Sequence, residues 1–130
     1  MNIPGRMEKF TFERNKKKIQ LIFDLAHNPE AFRVLLDSLS DLNYKKTSLF
    51  YGLLPDKDLQ SVKKIIAEFP FYKIFQITDE QFHPCESSCI DIKDLQNAVD
   101  ELTNHSDIES IIISGSTRLY RDYLKIIETI

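Results

Sequence analysis

The spacing of apolar residues along this chain switches repeatedly between two periods. "MEKFTFE" (7–13) alternates apolar and polar positions, which predicts a strand buried on one face. "IQLIFDL" (19–25) is apolar almost throughout, as in a strand covered on both faces. Arg14, Lys16, Lys17 and Lys18 lie between the two runs and predict a solvated hairpin turn. In "NPEAFRVLLDSLSDL", Phe32, Leu35, Leu36, Leu39 and Leu42 then recur at helical spacing. Asn28 is placed to cap that helix. Pro29 suits its first position, and Glu30 lies near the positive end of its dipole.

The alternation continues. "KTSLFYG" (46–52) predicts a strand closed by glycine. Asp56 is a candidate cap for a helix whose stripe is Leu59, Val62, Ile65, Ile66 and Phe69. "FYKIFQI" (71–77) predicts another core strand, and the polar stretch from Thr78 to Ile90, with His83-Pro84, a loop. Asp91 is a candidate cap for a helix facing inward through Ile92, Leu95, Val99 and Leu102. "IESIIIS" (108–114) predicts a buried strand. Ser116 or Thr117 would cap a last helix carrying Leu119, Tyr123, Ile126, Ile127 and Ile130. The order β-β-α-β-α-β-α-β-α implies a single Rossmann-like α/β domain. Its sheet is mostly parallel, with an N-terminal antiparallel strand or hairpin and helices on both faces.

Composition adds limits. The 130 residues suffice for one core, and 42% hydrophobic with 28% charged residues is ordinary for a globular chain. A net charge of −3 gives no electrostatic footprint for nucleic acid. No apolar run approaches the roughly 20 residues that span a bilayer. No apolar stretch of the signal-peptide kind opens the sequence. Cys85 and Cys89 are spaced C-x3-C without a second pair to complete a zinc site, and they read as two reduced thiols of a cytosolic protein.

In open α/β sheets, ligands bind beyond the carboxyl ends of the strands. Asp24, His27 and Asn28 follow one predicted strand, Gly52 and "PDKD" (55–58) the next, and Gly115 with Ser116 the last. The chain has three glycines, and two of them fall on this edge. Each feature has a plain alternative: Asp suits turns, Asn28 is explained by capping, Lys57 by solvation, and a lone histidine is more often a surface residue than a catalytic one. The expected convergence of Asp24, His27, Lys57 and Ser116 on one edge favours a site. No G-x-x-x-x-G-K-[ST] is present, nor a G-x-G-x-x-G, and no cluster of three ligands marks a metal.

"PGR" (4–6), "DLAHNP" (24–29), "GLLPDKD" (52–58) and "GS" (115–116) occur in that order. This series resembles the carboxy-terminal domain of folylpolyglutamate synthase/dihydrofolate synthase, in the Mur ligase superfamily, over essentially the whole chain. One departure is Leu25, where that family usually has glycine. The resemblance implies a Mur ligase-type carboxy-terminal domain over 1–130, with 1–6 a remnant of an interdomain linker. It implies a share in a cytoplasmic, ATP-dependent amide ligase: ATP phosphorylates a folate or dihydropteroate carboxylate, and glutamate attacks the acyl phosphate. By the same resemblance Arg6 reaches the nucleotide phosphates, Asp24 the ribose, and His27 the reacting centre, while Ser116 and Lys57 are substrate-binding candidates. ATP and Mg would be held mainly by a central ATPase domain that this sequence lacks, so the chain alone would not ligate. The alternative is a non-catalytic binding or interaction module that retains the fold.

Overall fold

In the computed structural model, residues 6–130 are described; Pro4 and Gly5 of the "PGR" element, and most of the expected linker, lie outside them. The described residues form a six-stranded sheet in the order β1-β2-β6-β3-β4-β5. The strands are β1 (Glu8–Arg14), β2 (Lys17–Asp24), β3 (Thr47–Tyr51), β4 (Lys73–Thr78), β5 (Cys89–Asp91) and β6 (Ser110–Ser114). β1 and β2 are antiparallel, and every other pairing is parallel. The helices are α1 (Pro29–Ser38), α2 (Leu59–Ile66), α3 (Leu95–His105) and α4 (Leu119–Thr129).

The basic run does form the hairpin turn. Asn15 and Lys16 both take positive φ, 54° and 66°, and Arg14 pairs with Lys17 across them. That left-handed pair matches the twist of the flanking strands. In β6, Ile111 and Ile113 join the core beneath α3 and α4, while Ile112 joins the core beneath α1 and α2. A two-residue period therefore feeds both faces, which is why β2 and β6 read as continuous apolar runs.

Several expectations shift. Asn28 caps α1 as expected, its Oδ1 accepting from Ala31 N at 2.8 Å. α2 is capped by Asp58, not Asp56, with Ser61 N donating to Asp58 Oδ1 at 3.1 Å. Asp91 caps a 3-10 turn (Ile92–Asp94) that leads into α3. α4 begins at Leu119 without a side-chain cap; Ser116 instead accepts from Arg118 N at 3.2 Å. The polar stretch 78–90 is mostly loop, but its end pairs with β4 as β5. The two cysteines are not reduced: Cys85 and Cys89 form a disulfide. The turn between them, with Ser88 at φ 53°, folds the chain back onto β4 and brings the sulfurs together.

Candidate functional site

The connections out of β2 and β3 run to α1 and α2 on one face, and the connection out of β6 runs to α4 on the other. β6 lies between β2 and β3, so the chain diverges on both sides of it at the carboxyl edge. Divergence of this kind opens a crevice. Asp24 ends β2 opposite Ser114, and Tyr51 ends β3 opposite the same Ser114. Asp24, Gly52 and Gly115 therefore share one edge.

The turn after β2 is built by hydrogen bonds. Asp24 Oδ1 accepts from Ala26 N at 2.9 Å, the local bond that Asp commonly makes in turns. Asp24 Oδ2 accepts from Met7 N at 3.0 Å, tying the segment before β1 to the end of β2. Ser114 Oγ, fully buried, donates to the carbonyl oxygens of Asp24 at 2.9 Å and Ala26 at 3.3 Å. Met7 is held at φ 48°, a left-handed conformation rarely used by a residue with a side chain. Asp24 is thus a structural anchor as well as a site candidate. Among the described residues, each carboxylate oxygen accepts one hydrogen bond, which leaves a lone pair on each.

A cleft of about 680 Å³ opens beside this turn, lined by Arg6, Asp24 and His27, with Met7, Leu25, Ala31, Val34 and Leu35 forming an apolar wall. Val34 is 68% exposed on that wall. His27 is exposed, and its Nδ1 donates to the Leu25 carbonyl at 3.0 Å. In the neutral ring that leaves Nε2 with a free lone pair. Leu25 packs partly into the core beneath α4 and has no positive φ, so its backbone does not require glycine.

Not every candidate reaches the cleft. Ser116 is 4% exposed, and its hydroxyl is committed to the turn before α4; its neighbour Thr117 lines the cleft instead. Lys57 lies outside it, with Nζ 3.8 Å from Asp56 and its carbonyl accepting from His83 Nε2 at 2.8 Å. Met7 read as part of a strand and Thr117 as a possible helix cap; neither was marked for the cleft, because both enter it through long-range folding of their neighbours.

A bifunctional folylpolyglutamate synthase/dihydrofolate synthase from Yersinia pestis superposes on 98% of this chain, with a TM-score of 0.74 and 20% identity. The fold is shared with folylpolyglutamate synthases. A bifunctional synthase with Mn, AMPPNP and L-glutamate bound covers 98% of this chain at a TM-score of 0.73 and 20% identity. The Thermotoga maritima folylpolyglutamate synthase covers 95% at 0.68 and 22%. This chain spans 32% of the first two of these synthases and 31% of the third. In sequence, the UDP-N-acetylmuramoyl-L-alanyl-D-glutamate--2,6-diaminopimelate ligase of Lawsonia intracellularis is 32% identical over 56 residues, 43% of this chain and 11% of that ligase. No family model matches the chain. Among the described residues, no helix is long and apolar enough to cross a membrane.

Proposed function

We propose that this chain is the carboxy-terminal domain of an ATP-dependent amide ligase of the folylpolyglutamate/dihydrofolate synthase type, joining glutamate to a folate or dihydropteroate carboxylate. The observation that carries this reading is the meeting of Arg6, Asp24 and His27 in one cleft at the carboxyl edge of the sheet. The fold shared with synthases whose structures hold a nucleotide analogue and glutamate supports it.

In this reading the carboxylate attacks the γ-phosphorus of ATP and ADP leaves. The glutamate amine then attacks the acyl carbon, and phosphate departs as the amide forms. The Arg6 fork pairs with phosphate oxygens and offsets charge on the transferring group. The free lone pairs of Asp24 accept from ribose hydroxyls. His27 Nε2 takes the proton that the attacking amine must lose. The apolar wall keeps water from the acyl phosphate once the site closes. Among the described residues no group of three His, Cys, Asp or Glu side chains could hold a metal ion. In this reading ATP and Mg are held mainly by another unit, which also supplies the loop that grips the phosphates.

The engagement of both Asp24 oxygens with backbone amides favours a second reading, a binding module in which the turn is purely structural. The test begins with the coding sequence around this chain. A P-loop in the same frame, and a full product that releases phosphate only when ATP, glutamate and a folate or pteroate are all present, is the expected result. Such a product without that three-substrate dependence refutes the ligase reading.

A further inference from the structure

On the other side of the β6–α4 corner lies a second, smaller cleft of about 260 Å³, between α4 and the loop after β4. Thr117 lines the Asp24 cleft and the next residue, Arg118, lines this one. We propose that this second cleft is a binding site for a small ligand bearing two oxyanionic groups, either carboxylates or phosphates.

Three cations meet there: Arg118, Arg121 and Lys125. Their spacing of three and then four residues puts them on one side of the α4 start. All three are exposed, and among the described residues none forms a salt bridge, whereas Arg14, Arg33 and Lys46 each do. The opposite wall is set before any ligand arrives. Asp79 Oδ1 accepts from Gln81 N at 2.7 Å and from Phe82 N at 2.9 Å, so that carboxylate is held by its own loop. Phe82 is buried, and the Arg118 guanidinium carbon stands 5.9 Å from the centre of its ring. Contact with an aromatic face at that range steadies the fork without neutralising it.

Asp122 is the remaining carboxyl in the cleft, and burial raises its pKa against the pull of Lys125 and Arg121. Three cations, Arg118, Arg121 and Lys125, therefore share the cleft with two carboxylates, Asp79 and Asp122. An arginine fork lying against an aromatic ring, with two further cations beside it, suits a ligand with two negative groups. Asp122 also separates the two sources of such a ligand: it repels a phosphate but can accept from the ammonium of an amino acid.

The test uses the chain as it stands, at low ionic strength. Pyrophosphate and L-glutamate are titrated separately while the side-chain N–H signals of Arg118 and Arg121 are followed by NMR. Saturating shifts at both arginines with at least one of the two ligands are expected. Arg121→Gln and Lys125→Gln should each weaken binding by about tenfold, and Lys16→Gln, on the hairpin turn, should leave it unchanged. A glutamate response lost in Asp122→Asn identifies an amino acid, and a pyrophosphate response strengthened by it identifies a phosphate. No saturation with either ligand, equal shifts at the Lys16–Lys18 turn, or full binding in Arg121→Gln overturns the proposal. None of these outcomes depends on the ligase reading.

Discussion

A methyl group on Gly115 would overlap the carbonyl oxygen of Gly52 and lie 2.9 Å from that residue's nitrogen and carbonyl carbon. Gly115 also sits at φ +117°, where side chains are rarely tolerated. The two turns therefore interlock backbone to backbone at the carboxyl edge. Gly115→Ala should cost about 3 kcal/mol, combining strain and displacement. Gly52→Ala meets Ile77 Cβ at 3.2 Å and the Ile77 carbonyl oxygen at 3.3 Å, so β4 must give by a few tenths of an ångström; with no positive φ to add strain, the change should cost about 1–2 kcal/mol. Urea unfolding of both variants checks the order.

Asp24→Ala would strip the acceptor from the Met7 and Ala26 amides at once. Leaving buried donors unpaired should lower stability by about 2 kcal/mol. Asp24→Asn keeps one carbonyl oxygen and should lose about half as much. Melting curves on both, run before any nucleotide assay, separate this anchoring role from ligand binding.

His27→Ala should behave in the opposite way. The side chain is exposed, and its hydrogen bond is to a neighbouring carbonyl. Stability should change by less than about 0.5 kcal/mol. In the full ligase, kcat should fall by about a hundredfold if His27 moves the amine proton. Arg6→Ala should show the same split, because Arg6 is exposed and lies outside both core clusters. Unchanged kcat/KM for ATP in both variants would remove them from the mechanism.

Ser48 is fully buried in β3, and among the described residues its Oγ lacks a hydrogen-bond partner. Replacing it with alanine removes a desolvated hydroxyl and should raise stability by up to about 1 kcal/mol, read from the urea midpoint.

Acid should weaken the fold. Hydrogen bonds from Ser61, Arg33 and Lys46 hold Asp58, Glu68 and Asp107 respectively below the usual carboxylate range. Lowered groups add stability above their unfolded pKa and lose it as pH falls through the folded one. The loss therefore sets in below about pH 4. Asp122, raised by burial, has the opposite sign: its cost is present at neutral pH and vanishes on protonation. Asp122→Asn should therefore steepen the apparent acid loss relative to neutral pH. Added salt should shrink the contributions of the three exposed groups. Stability measured from pH 3 to 7 at two salt concentrations tests both signs.

The layering of this molecule was legible in the sequence because each helix repeats its apolar positions and each core strand is bounded by turn residues. β5 was not, since three residues, Cys89 to Asp91, are too few to show a period. The α2 cap was misplaced by two residues because Asp56 and Asp58 are equivalent locally and only the fold decides between them. Arg6, Asp24 and His27 could be read as site candidates from short motifs. The withdrawal of Ser116 into a turn, and the Met7–Asp24 bond across seventeen positions, depend on tertiary closure that no local pattern encodes.

The position of β6 bears on how the molecule is made. It is the last strand in sequence, yet it stands between β2 and β3 and joins the β1-β2 ribbon to the β3-β4-β5 half. Until residues 110–114 leave the ribosome, each half presents an unpaired parallel edge rich in Leu, Ile and Phe. A nascent chain arrested before β6 should therefore be held by chaperones or aggregate, and folding should complete only as this keystone strand slides into the gap.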